Sequence, residues 1–331
     1  MKNLRIAVLV PCYNEAATIA KVVADFGLHL PQAHVVVLDN NSSDSTAEQA
    51  RQAGARVLTV GLQGKGNVVR RGFADVEADI YVMVDGDDTY EAAAAPRLVQ
   101  RLLDDGLDMV VGARRDKEKA AYRPGHRLGN VLLTRCVGLL FGRSFDDMLS
   151  GFRVFSRRYA KSFAAHARGF ETETELAVHA LQLRMPVAEV DTAYGVRPEG
   201  SQSKLNTWRD GWRILCTIAK LFKSERPLLF FSVGAVACMA LSVVLAVPLL
   251  LTYLQTGLVP RFPTAILCSG LMLLGQLLLA CGLILDTVTR GRIETKHMAY
   301  LAVPVSAWAS TPSATPPGAA QTRPAPVGAQ A

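Results

Sequence analysis

RIAVLVPCYNE (5–15) decides the fold. Five apolar, partly β-branched residues (6–10) run without a break into a proline, a cysteine and a polar turn. So short an apolar run, bounded by turn residues, reads as a strand buried on both faces of a parallel sheet. The pattern recurs downstream. HVVVLD (34–39), ARVLTV (55–60), DIYVMVD (79–85) and LDMVVGA (107–113) have the same character, and stretches suited to crossover helices lie between them at 16–26, 46–53, 66–75 and 92–104. This alternation predicts an α/β fold with helices on both faces of the sheet. In such sheets ligands bind beyond the carboxyl ends of the strands.

Those ends are acidic. The first strand runs into Pro11, Cys12, Tyr13, Asn14 and Glu15; the second ends at Asp39, before Asn40 and Asn41; the fourth ends in Asp85-Gly86-Asp87-Asp88-Thr89. Crowded carboxylates repel and call for a cation. An Asp-x-Asp at a strand end suits a hard divalent ion, Mg²⁺ or Mn²⁺, shared with a diphosphate. Taken alone, Asp-Gly is ordinary turn chemistry; beside two other acidic strand ends it reads as a metal site on Asp85 and Asp87. Lys65 follows a glycine, but the GxxxxGK[ST] spacing of a P-loop is absent. It stands between two readings, a diphosphate contact and a solvated loop residue. The first turn, PCYNEAAT, is not a GxGxxG fingerprint, which argues against a nucleotide-dependent oxidoreductase.

The region 114–204 is less regular. It predicts a helix at 126–141, a short strand in SGFRVFS (150–156) and a helix from 172 to 183, where Thr172 and Glu175 have capping-box spacing. Acids favour a helix N-terminus, so Glu171, Glu173 and Glu175 need no catalytic explanation. LNTWRDGWRILCTIAKLFKSER (205–226) is amphipathic, basic and tryptophan-bearing, and reads as a helix lying in a membrane interface.

The hydrophobic half of the composition is concentrated at the C-terminal third. No charged residue occurs from 227 to 260 or from 262 to 285, and about 20 apolar residues cross a bilayer core. Spans at 228–254 and 263–287 are predicted, with Pro248 placed to kink or end the first. Basic residues flank both outer ends, so the positive-inside rule predicts a hairpin in the cell inner membrane with both termini and the N-terminal domain cytoplasmic. The division is then a catalytic domain (1–204), an interfacial helix (205–226), the hairpin (227–289) and a basic flank with an Ala/Pro-rich, disordered tail (290–331). A net charge of +7 suits a lipid surface or a phosphorylated substrate, and no nucleic-acid partner is expected. Six cysteines without a CxxC pair and six scattered histidines predict reduced thiols and no zinc site. The apolar run at 6–10 is too short for a signal peptide.

VPCYNE, VLDNNSSD, GKGN (64–67), VDGDD and SGFR (150–153), in this order and spacing, resemble the family 2 glycosyltransferases of the GT-A fold. The subgroup that looks most similar is that of the dolichol-phosphate mannose synthases and bacterial polyprenyl-phosphate glycosyltransferases, over roughly 4–226. The resemblance implies a Rossmann-like mixed sheet. It implies that Pro11, Tyr13, Glu15 and Asp39 hold the nucleoside of a nucleotide sugar, that Asp85 and Asp87 are the DxD pair, and that arginines hold a lipid phosphate. Arg114, Arg127 and Arg153 match that last role, and Arg197 and Lys204 resemble the subgroup's R…GxSKL pattern. Arginine suits it because its planar fork donates two hydrogen bonds to two oxygens. Where hydroxyl-acceptor members carry a Glu-Asp base motif this chain reads FETETE, and QxxRW is missing. A phosphate is already anionic and needs no base, so both departures favour polyprenyl phosphate as acceptor. The implied reaction is inverting transfer of one hexose from GDP-mannose or a UDP-hexose; the rival reading is transfer to a hydroxyl of a lipid-linked or other glycan. Thr89 stands where the subgroup often has Gln. A homo-oligomer is compatible with the sequence.

Overall fold

The computed structural model describes residues 4–116, 135, 137–139, 141–142, 145–164, 171–195, 216 and 219–304. The apolar runs become strands β1 (Ile6–Cys12), β2 (Ala33–Asp39), β3 (Arg56–Thr59), β4 (Ile80–Met83) and β5 (Met109–Asp116). Helices α1 (Ile19–His29), α2 (Thr46–Gln52), α3 (Lys65–Asp75) and α4 (Ala95–Asp104) alternate with them, a 3-10 turn at Ala92–Ala94 leading into α4. Then come β6 (Arg153–Ser156), α5 (Arg157–Ser162), α6 (Thr172–Gln182) and β7 (Val187–Tyr194).

The sheet has seven strands in the order β3-β2-β1-β4-β6-β5-β7. The strands run parallel except β6, which pairs antiparallel with both β4 and β5. The mixed GT-A-like sheet is therefore present, and its single reversed strand carries SGFR back to the carboxyl edge, where Arg153 stands opposite Met83 and Val111. The central strands β1, β4 and β6 bury both faces, while the edge strands β3 and β7 are only partly covered. Leu9, Leu38, Tyr81, Met83 and Phe155 face α3, α5 and α6, while Val8, Val10, Val37, Val82 and Val154 face α1 and α4. This period of two without a polar face is what sandwiching between helices demands. β7 was not legible as an apolar run because it is an edge strand, VAEVDTAY, with Glu189 and Asp191 among its residues. The expected helix at 126–141 lies largely outside the described residues; Arg135, 137–139 and Phe141 are helical. So does most of 205–226, of which Cys216 and 219–225 are helical.

Helices α7 (Pro227–Thr256) and α8 (Phe262–Ala302) are both long and apolar enough to cross a membrane. Pro248 does not end α7, which runs eight residues further before Gly257, at φ 69°, caps it. The pair packs through small residues: a Cβ on Gly275 would meet Met239 at 2.6 Å, and one on Gly282 would meet Phe231 at 3.1 Å. Ser242 donates to the Cys268 carbonyl at 2.7 Å. Close approach at glycines and an interhelical hydrogen bond are the means of helix association in lipid. α8 continues past the expected boundary at 287–289, as far as Ala302.

Candidate active site

Three loops meet at the carboxyl edge, and their own polar groups hold them. Asn14 and Asn41, after β1 and β2, and Asp88, after β4, all have positive φ (56°, 60° and 56°), a conformation uncommon outside glycine that turns a chain sharply after a strand. The Asn14 amide donates to the Ser42 hydroxyl at 3.0 Å, Ser43 donates back to the Asn14 side chain at 2.8 Å, and the Glu15 amide donates to Thr46 at 2.9 Å. Asp88 is anchored by Lys21 at 2.7 Å. Asn40 is buried, donates to the Val60 and Leu62 carbonyls, and accepts from the Gly64 amide at 2.6 Å. Gly64 itself, at φ 125°, lets the chain turn into α3 so that Lys65 starts the helix at the site.

β1, β2 and β4 run parallel, so the acids at their carboxyl ends share one edge of the sheet. Asp39 is 4% exposed at the end of β2, and the Ser42 amide faces its two oxygens at 3.4 Å. Pro11 lies in β1 opposite Leu38, Tyr13 is 37% exposed, and Glu15 is half-buried. Asp87 is 3% exposed, and Thr89 donates its hydroxyl to it at 2.6 Å. The residue that departs from the subgroup pattern therefore orients the metal-ligand candidate.

Lys65 is not a solvated loop residue. Its Nζ lies 2.5 Å from Asp85 Oδ1 and 2.5 Å from Glu173 Oε1. Burial alone would lower its pKa, but the two carboxylates outweigh burial and hold the ammonium above its ordinary range. Glu173, 5% exposed at the start of α6, has its other oxygen buried without a hydrogen-bond partner among the described residues. Sequence reasoning missed Glu173 at the site, because an acid at a helix N-terminus has a sufficient local explanation. Its pairing with a lysine 108 residues away has no local signal.

The arginines divide. Arg114, at the carboxyl end of β5, makes a two-pronged ion pair with Asp147 (2.7 and 2.8 Å) and lies over the Tyr194 ring at 5.4 Å. Burial pushes the Asp147 carboxyl up, but Arg114 outweighs it and holds the group below its usual range. Arg153 is fully buried: Nε donates to the Ser150 carbonyl at 2.9 Å, and Nη2 donates to that of Met148. Its guanidinium is engaged by loop carbonyls rather than presented at the surface. Arg127, Arg197 and Lys204 lie outside the described residues.

The glycine of SGFR has a steric explanation. A Cβ on Gly151 would collide with the Asp85 carboxylate, and the Gly151 amide donates to the buried Tyr90 hydroxyl at 2.8 Å. Because the displaced carboxylate belongs to the ion pair with Lys65, Gly151→Ala is expected to lower the melting temperature by a few degrees. It should displace Asp85 and lower kcat/KM about 10- to 100-fold, since small misplacements cost that much. Steady-state kinetics beside a thermal melt would check it.

The donor set fits a divalent ion of limited kind. Among the described residues no three His, Cys, Asp or Glu side chains gather as a protein-only cage. Asp85 and Asp87, separated by one residue in the turn after β4, are the acids that an ion completed by phosphate oxygens would use, as Mg²⁺ prefers, and Asp85 already has Lys65 at one oxygen.

Residues 7–163 match the family model described as glycosyl transferase family 2. The chain is 37% identical over 235 residues to the glycosyltransferase AglJ of Haloferax volcanii, covering 69% of this chain and 76% of that protein. It is 29% identical to the dolichyl-phosphate hexose transferase of the same organism, covering 67% and 95% of the two chains. Among solved structures, glucosyl-3-phosphoglycerate synthase of Mycobacterium tuberculosis with Mn²⁺, UDP-glucose and phosphoglyceric acid superposes with a TM-score of 0.55. Its identity is 26%, over 67% of this chain and 80% of that one.

Proposed function

The chain belongs to glycosyl transferase family 2, and from that premise we propose that it transfers a single hexose from a nucleotide sugar to polyprenyl phosphate at the cytoplasmic face of a membrane. The observation that carries the reading is the joining, in one chain, of an acidic carboxyl edge to two helices long and apolar enough to span a bilayer. A relative named dolichyl-phosphate hexose transferase supports the acceptor, and a neighbour crystallised with UDP-glucose and Mn²⁺ supports the donor and the ion.

In this reading Pro11, Tyr13, Glu15 and Asp39 hold the nucleoside, and Asp85 and Asp87 would hold Mg²⁺ or Mn²⁺. When bound, the ion neutralises charge on the departing diphosphate. Thr89 fixes the Asp87 carboxylate, and Lys65 supplies a fixed positive charge beside Asp85. Arg114, Arg127, Arg197 and Lys204 orient the acceptor phosphate, while Arg153 braces the loop that carries Gly151. A phosphate oxygen then attacks the anomeric carbon from the face opposite the diphosphate, whose oxygen leaves with the bonding pair, so the configuration inverts. The side chains supply positioning and electrostatic stabilisation rather than a base.

The deciding experiment incubates membranes bearing the protein with polyprenyl phosphate, Mg²⁺ or Mn²⁺ and a panel of labelled nucleotide sugars. Label should appear in the lipid fraction with one donor; label only in a hydroxyl-bearing glycan would reject the acceptor. Arg127→Ala should raise the requirement for polyprenyl phosphate roughly 10- to 150-fold, the worth of a charge-assisted hydrogen bond. Nucleotide-sugar affinity should barely move, and Asp39→Ala should show the reverse. Kinetics with both substrates varied would separate them.

A further inference from the structure

Helix α8 is longer than a membrane crossing requires. At 1.5 Å per residue its 41 residues extend about 61 Å, whereas a bilayer core of about 30 Å takes roughly 20. The uncharged run ends at Leu285, yet the helix continues through Asp286, Arg290, Arg292 and Lys296. That extension docks first on the segment before α7 and then on the catalytic domain. Arg292 pairs with Glu225 at 3.2 Å, whose side chain is only 6% exposed. Lys296 donates to Gln182, the last residue of α6, at 2.9 Å. Tyr300 donates its hydroxyl to Asp108 at 2.9 Å, while Arg158 of α5 lies over the Tyr300 ring at 5.5 Å and donates to the Val303 carbonyl at 3.1 Å. Ile293 and Tyr300 also pack against the apolar cluster beneath α5 and α6.

The order of these contacts gives a direction. Asp108 immediately precedes β5, and Ser156, which donates to it at 2.6 Å, ends the reversed strand β6. Both lie at the sheet edge opposite Asp39, Asp85 and Arg114. α8 leaves the apolar run at residue 286, meets Gln182 at the remote end of α6 through Lys296 and reaches Asp108 through Tyr300, about 15 and 21 Å further on, the second distance comparable with the roughly 26 Å length of an eight-residue strand such as β5. We propose that residues 286–302 form a rigid strut, fastened at the remote edge by Arg158 and Tyr300, that holds the carboxyl edge of the domain toward the bilayer surface. Arg158, Arg292 and Tyr300 are then positioning residues for a membrane-embedded acceptor. The inference rests on the hairpin and lipid-acceptor reading above.

The test uses the full chain in vesicles. The Arg158→Ala/Tyr300→Ala double variant should raise the apparent KM for embedded long-chain polyprenyl phosphate at least 10-fold. The donor KM, and kcat/KM for a water-soluble short-chain prenyl phosphate, should change less than twofold. Tyr300→Phe, which keeps the ring under Arg158, should fall between. Hydrogen exchange should show amide protection lost in 290–302 and kept in β1–β4. Equal losses on both acceptors, or undiminished use of the embedded acceptor with 290–302 unprotected, would overturn the strut. Were the wild type to glycosylate no prenyl phosphate, the acceptor reading would fail. The strut would then be judged by energy transfer from a fluorescent amino acid at position 62, exposed after β3, to a lipid dye: undocking should weaken it, and an unchanged signal would refute the proposal.

Discussion

Replacing Asp87 with alanine is expected to lower hexose transfer about a thousandfold and to weaken donor binding, with EDTA giving a loss of the same order in the unaltered protein. Asp87 is 3% exposed and held by the Thr89 hydroxyl, so its carboxylate is fixed before any ligand arrives. Asp87→Asn keeps the shape and the Thr89 contact but removes the charge; it should be almost as damaging. Thr89→Val, which removes only the hydroxyl, should cost far less, about 10-fold, and should raise the Mg²⁺ or Mn²⁺ concentration needed for half-maximal rate. Titrating the ion against rate, with donor binding measured separately by calorimetry, checks all three. Full activity in EDTA, or in either Asp87 variant, would sink the metal role.

The second large effect is expected at Lys65. Its ammonium satisfies Asp85 and Glu173 together, and its side chain is 17% exposed. Lys65→Met leaves two acids facing each other in a mostly buried place. Removing one partner of a buried ion pair costs about 3–5 kcal/mol, and in a domain of this size each kcal/mol shifts the melting temperature by about 2–4 °C. Activity should fall as well, by two orders of magnitude or more, with Asp85 displaced. The decisive comparison is Lys65→Met combined with Glu173→Gln. Removing one acid should restore a large part of the stability. If Lys65 also provides charge for the diphosphate, the double variant stays inactive; if it recovers activity along with stability, Lys65 serves only to neutralise its two neighbours.

These two positions differ in how much of them could be foreseen. Asp87 sits in a motif whose residues are adjacent in the chain, so the turn after β4 delivers it to the carboxyl edge in any fold built on that strand. Lys65 was ambiguous because a lysine after a glycine carries no sign of what it will meet. Its partners come from 20 and 108 residues further along, and their meeting depends on the order of strands in the sheet. Arg153 makes the same point in reverse. In sequence it is an arginine in a family motif, free to bind phosphate; once β6 is inserted antiparallel between β4 and β5, its guanidinium lies inside and serves two loop carbonyls.

By itself the sequence determined the five parallel strands, the crossover helices, the acidic strand ends and the two apolar helices. All of these are written in local periodicity: unbroken β-branched runs that can be satisfied only between two layers, and uncharged runs as long as a bilayer is thick. Only the tertiary structure decided where β6 and β7 enter the sheet, that Glu173 closes the site around Lys65, and that the charged end of α8 continues as a helix to reach Asp108. The reason is physical. Strand pairing, buried ion pairs and helix docking draw their energy from groups distant in the chain, and no short window of residues contains both partners.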